Sequence, residues 1–153
     1  MPNTTPRYHR GAIAFALVAA TALTLAWSPV EALTFRDKNM HVITNESRVQ
    51  HGVRRVDLNQ AMSLLARRHS LWMANHHCLC HTHNPASVYL RGVRWSAWGE
   101  NVGWTTGSAW DVEQLFMRSP PHRANILNRR FAHVAVGAVR AGGKLWVTVF
   151  FYG

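Results

Sequence analysis

From Phe35 to Gln50, Met40, Ile43 and Ser47 recur every three to four positions among polar residues. This spacing predicts a first helix, ended by Gly52 as a C-terminal cap. Asp57 then reads as an N-cap for a second helix, whose apolar stripe is Leu58, Ala61, Met62, Leu65, His69, Trp72 and Met73, with Arg67 and Arg68 off the stripe. His69 on such a stripe reads as a hydrogen-bonded core histidine. Residues 75–107 hold turn residues and no sustained period, which predicts loop with short strands. "SAWD", Ser108 to Asp111, has capping-box spacing and opens a third helix with Val112, Leu115 and Phe116 on its apolar side, stopped before Pro120. A short helix over His122–Leu127 precedes a hairpin, "HVAVGAV", "RAGGK" and "LWVTVFFY". In its last strand Leu145, Val147, Val149 and Phe151 alternate with Trp146, Phe150 and Tyr152, so both faces are apolar. A strand buried on both sides needs a layer above and a layer below. The pattern therefore predicts an α/β/α sandwich around a central antiparallel sheet, with neither repeats nor linkers.

The first 32 residues fall outside this domain. "RYHR", the apolar run "GAIAFALVAATALTLAW" and "VEA" at Val30–Ala32 have the order of a secretory signal peptide, which places the mature start near Leu33 and the folded domain at 33–153. The run is short for a membrane span of about 20 residues, so cleavage is favoured over an uncleaved anchor, and no transmembrane segment is expected to remain. Losing Arg7, Arg10 and Glu31 changes the formal charge from +10 to +9. Such a surface favours anionic neighbours: cell-wall polymers, lipid headgroups or nucleic acid. Nucleic acid ranks last, because no RNA- or DNA-binding signature appears and the aromatic residues concentrate at core positions.

Candidate chemistry gathers in three stretches. "HHCLCHTH", from His76 to His83, holds both cysteines, Cys78 and Cys80. Its spacing does not match the paired ligands of structural zinc fingers. Residues i and i+2 of an extended strand lie about 6.6 Å apart, too far for a disulfide without a kinked backbone, which leaves a free thiol pair or an intermolecular bridge. In "WSAWGENVGW", Glu100 lies between Gly99 and Gly103 and is one of six acidic residues beyond the leader. A buried carboxylate requires partners, either histidines or, for a structural salt bridge, Arg123. In "RSPPHRANILN", Pro120 and Pro121 mark a helix start and hold His122 rigidly in the first turn.

Taken in order, "NESRVQHG" with Asn45 and Arg48, "ARRHSLWMA", "CHT", "WGENVG", "FMRSPPHRANILN" and "LWVTVFFYG" resemble the bacterial branch of the CAP superfamily. This is the group of cysteine-rich secretory, antigen 5 and pathogenesis-related 1 proteins, also called SCP-like domains. The resemblance spans essentially the whole chain after the leader. It implies an α/β/α sandwich with a cleft bearing two histidines and two glutamates, and divalent metal binding by those histidines in some members. By motif, His81 and His122 match the histidines and Glu100 one glutamate, while Ser119 stands where the second glutamate is expected. The resemblance thus implies a cleft of His81, Glu100, Ser119 and His122, with His81 and His122 the metal ligands and zinc the favoured ion. The leading expectation is a secreted binding domain for a lipid, a cell-wall component or a protein partner. The rival is a metal-dependent hydrolase, with Glu100 as third ligand or general base.

Overall fold

The computed structural model describes residues 33–153, so the leader assigned to residues 1–32 lies outside the described residues. In chain order the elements are α1 (Phe35–Gln50), β1 (Asp57–Leu58), α2 (Gln60–His76), α3 (Pro85–Tyr89), β2 (Trp98–Thr105), α4 (Ala109–Arg118), α5 (Pro120–Ile126), β3 (His133–Ala141) and β4 (Lys144–Tyr152). The sheet runs β1-β3-β4-β2, with β2 at one edge. Helices α1 and α4 are each opened by a capping box, Thr34 with Asp37 and Ser108 with Asp111.

β4 carries the three-layer architecture, because both its faces are buried. Leu145, Val147, Val149 and Phe151 pack with Met40 and Ile43 of α1, Val112 and Phe116 of α4 and Ile126 of α5. On the opposite face, Phe150 and Tyr152 meet Met62 and Ala66 of α2 and Tyr89 of α3, while Trp146 packs with Met73 and Val102. α2 lies so close to the sheet that a β-carbon at Gly137 would overlap its backbone at Ala66 and Arg67.

Buried polar groups fasten α1 to the rest. Asp37 Oδ1 accepts the Ala138 N–H of β3 at 2.7 Å. Arg48, fully buried, donates to the carbonyls of Arg54, Ile126, Asn128 and Phe131 at 2.5 to 3.3 Å. Burial lowers its pKa, and the charge of Arg54 adds to that. Asn45 reads the backbone of Val56 in both directions, at 2.8 and 3.0 Å. Glu113 of α4 accepts from Thr44 of α1 at 3.1 Å, and burial raises its pKa against the opposing hydrogen bonds from Ser47 and Thr44.

Several expectations are corrected. The sheet is mixed: β1 pairs in parallel with β3, through Asp57↔His133 and Leu58↔Val134. Two residues are too few to show a period in sequence. Asp57 and Leu58 therefore do not belong to α2, whose N-cap is Asn59, its side chain accepting from Met62 N at 3.0 Å. Residues 75–107 contain α3 and the eight-residue β2, where Gly99, Glu100, Asn101 and Gly103 interrupt any apolar alternation. α5 starts at Pro120, as the two prolines predict, with His122 in its first turn, two residues earlier than the range His122–Leu127. Trp72 is 45% exposed instead of facing the core, and its ring stacks on His76 and His69. Leu115, expected on the apolar face of α4, is exposed as well.

Truncating Phe150 or Trp146 to alanine should each cost about 3–5 kcal/mol of stability in urea denaturation. A loss below about 1 kcal/mol at both positions would show that α2 does not form a buried layer over β4.

Candidate functional site

The site is assembled around edge strand β2. Successive residues of a strand face opposite ways, so Glu100 points to the face bearing α2 and α3, and Asn101 to the face bearing α5. The Glu100 carboxylate is buried, and each of its oxygens is engaged. Oε1 accepts from Thr82 N at 2.9 Å and from His81 Nδ1 at 2.8 Å; Oε2 accepts from Thr82 Oγ1 at 2.5 Å. The Tyr89 hydroxyl lies 3.3 Å from Thr82 Oγ1, and burial raises the pKa of that phenol. Donors of this kind make a desolvated carboxylate tolerable. Arg123 takes no part in it: that side chain is exposed and the salt bridge considered from sequence does not form. Because a carboxylate only accepts, His81 Nδ1–H is the donor, an arrangement that in the neutral ring leaves the lone pair on Nε2.

On the other face, Asn101 Nδ2 donates to the His122 carbonyl at 3.0 Å, and Asn125 Nδ2 donates to Asn101 Oδ1 at 2.9 Å and to the Glu100 carbonyl at 3.2 Å. The amides of Asn101 and Asn125 thus set the first turn of α5 on the strand. Gly99 makes room, since a β-carbon there would overlap the Asn125 amide. His122 is half-buried with its ring 5.0 Å from that of Phe116. Burial lowers its pKa and the nearby His81 lowers it further. His69, whose Nδ1 lies 3.1 Å from Thr148 Oγ1, also has its pKa lowered by burial, with Glu100 opposing and His81 adding to the shift. His69 is therefore both the hydrogen-bonded histidine expected and a neighbour of the site, which its place on the α2 stripe did not reveal.

Two cavities flank this arrangement. One of about 310 Å³ is mainly apolar, with Leu79, Val102, Trp104, Leu115 and Phe116 around Ser119 and His122. The other, about 400 Å³, is lined by His81, Thr82, Trp98, Glu100 and Asn125 among others. Of the four residues singled out from sequence, His81 and Glu100 are in direct contact in one cavity, and Ser119 and His122 share the other. Thr82, Asn101 and Asn125 were missed, although each lies within a quoted motif.

The loop that supplies Leu79 and His81 follows the left-handed cap of α2 at His77, φ 51°. The expectation for the cysteines is corrected: the chain bends at Leu79, Cys78 and Cys80 lie at a Cα separation of 5.5 Å, and they form a disulfide with each other. Among the described residues no cysteine is free, and no group of three or more His, Cys, Asp or Glu side chains is arranged to hold a metal ion. Glu100 holds His81 from behind, a pattern common behind metal-binding imidazoles.

Residues 43–151 match the Cysteine-rich secretory protein family (CAP), and the chain belongs to that family. It is similar to Uncharacterized protein YkwD of Bacillus subtilis (strain 168), with 28% identity over 119 residues, covering 74% of this chain and 46% of YkwD. The chain thus spans less than half the length of that relative. An extracellular protein containing a SCP domain from Bacillus anthracis str. Ames has a similar structure, with TM-score 0.66 and 22% identity over 76% of this chain and 40% of that one. An outer surface protein from Borrelia burgdorferi gives TM-score 0.67 at 12% identity, covering 75% of this chain and 90% of that one. These two likenesses show a shared fold.

The histidine environments set a pH dependence. Burial lowers the pKa of His69 and His122, so the folded chain binds fewer protons than the unfolded chain once the pH falls below the reference value of about 6.5. Their contribution is full above that value and is lost as the pH drops. The urea midpoint should decline between about pH 7.5 and 5.0, and less steeply in His69→Gln and His122→Gln. Identical slopes in all three proteins would mean that neither ring is kept neutral by the fold.

Proposed function

We propose that this CAP domain is an extracellular binding domain that takes a lipid, a cell-wall component or a protein partner through the cleft around β2. The observation that carries the reading is the engagement of Glu100: its oxygens already accept from Thr82 and His81, while the adjoining cavity beside His122 is walled by apolar side chains. A carboxylate so engaged holds the loop after α2 in place. The basic surface, +9 beyond the leader, supports attraction to an anionic envelope. The Bacillus anthracis protein is extracellular and the Borrelia protein an outer surface protein, which supports the same compartment.

A second reading, a metal-dependent hydrolase, is favoured by the orientation of His81, whose Nδ1 is held by a carboxylate. The residues fit a divalent ion only as a two-histidine site, weaker than a three-ligand one, in which the ion would polarise a bound carbonyl or water.

Calorimetry and turnover assays separate the two. Laurate should bind the protein, and Leu79→Asp, at the rim of the apolar cavity, should weaken it at least about tenfold. Zinc should bind weakly and be lost in both His81→Ala and His122→Ala, without hydrolysis of ester, peptide or phosphodiester substrates. Turnover abolished by either histidine substitution would overturn the binding-domain reading in favour of the hydrolase.

A further inference from the structure

Leu115 borders a second concavity, which it shares with the apolar cavity at His122. This groove, about 550 Å³, lies between the β2–α4 turn at Thr105–Gly107 and the outward side of α4. Trp110, Gln114 and Arg118 follow one another along the helix at four-residue intervals, with Asp111 beside them. Packing against the core does not explain this stripe, because α4 buries Ala109, Val112, Glu113 and Phe116 instead. Trp110 is left 44% exposed, a broad apolar ring set among hydroxyls, an amide, a carboxylate and a guanidinium.

Both walls are fixed in advance of any ligand. Asp111 Oδ2 accepts from Ser108 N at 2.7 Å and Ser108 Oγ at 2.8 Å, and these bonds lower its pKa. Across the groove, the Arg140 guanidinium donates to the carbonyls of Thr106 and Gly107 at 3.3 and 2.5 Å, which steadies the turn. A preformed site of this kind loses little conformational entropy on binding. Its charges balance, one Asp111 against one Arg118, within a chain of net charge +10. An anionic ligand would find its partners elsewhere on the surface.

We propose that this groove is a binding site for a neutral saccharide. The axial C–H bonds of a pyranose give it an apolar face that stacks on an indole ring, while its equatorial hydroxyl or acetamido groups project sideways. In the groove that places the sugar ring on Trp110 and its polar rim against Asp111, Gln114, Arg118 and Thr105. A few polar groups of fixed direction beside an apolar platform are the usual means of orienting a small ligand. The inference stands apart from the cleft reading, since it uses neither His81, Glu100 nor His122.

The test is calorimetric titration with the β-1,4-linked tetramer of N-acetylglucosamine, with the indole N–H signals followed by NMR. The protein should bind the tetramer and shift the Trp110 signal, Trp110→Ala should weaken binding at least about tenfold, and Trp110→Phe, which keeps a ring, should weaken it less. Trp110→Ala should keep its thermal midpoint and its affinity for laurate, which separates loss of the platform from loss of the fold. Binding should persist at high salt because the ligand is neutral. Absence of tetramer binding, equal binding by Trp110→Ala, or binding abolished at high salt would each overturn the proposal. Failure of laurate to bind would count against the cleft reading alone.

Discussion

A carboxylate removed from water must be met by donors, and the arrangement of the cleft follows from how Glu100 meets that demand. The strand delivers the carboxylate to the face of the sheet under α2 and α3, where the loop after α2 supplies its donors. Thr82 contributes its amide and its hydroxyl, and His81 its ring N–H. Once Thr82 is docked, Leu79 faces the apolar cavity and His81 is presented beside β2. Removing one donor would leave a buried charge short of a hydrogen bond, which costs about 1–3 kcal/mol or more for an ionised group. The site and the local fold are therefore one interaction seen from two sides.

The same economy of polar contacts appears on the opposite face of β2 and at α1. Asn101 and Asn125 seat α5 by bonding to backbone carbonyls, and Arg48 seats α1 in the same way, through four carbonyls and no carboxylate. A guanidinium has five N–H donors in a planar fork, which suits it to collecting carbonyls from several chain segments at once. Only seven acidic residues occur in the chain, and the buried ones, Asp37, Glu100 and Glu113, are held chiefly by hydroxyls and backbone amides. Arg48 apart, the interior is joined by hydrogen bonds of uncharged donors.

What could be read in the sequence was whatever repeats. The two-faced alternation of β4 announced both helical layers, and the bounds of α1 and the capping box of α4 were visible because apolar spacing and cap residues coincide there. β1 is too short to have a period, and β2 hides its strand character behind two glycines and two polar residues that serve the site. His81, Glu100, Ser119 and His122 could be singled out because they stand in conspicuous motifs. Their supports could not: Thr82 acts on the distant Glu100 carboxylate and Asn101 and Asn125 on distant backbone carbonyls, and only the docked loop and helix reveal them. The Cys78–Cys80 bridge was hidden for a related reason, since it depends on a backbone bend at Leu79 that no residue type there demands.

Glu100 is a fixed acceptor that orients His81. Nitrogen-15 NMR of the imidazole rings reads this directly, because the two neutral tautomers have distinct ring-nitrogen shifts. In the neutral ring His81 should be the Nδ1–H tautomer, with Nε2 unprotonated, and this preference should be lost in Glu100→Ala. A His81 ring in the Nε2–H form, or one averaging freely between tautomers in the unaltered protein, would contradict it.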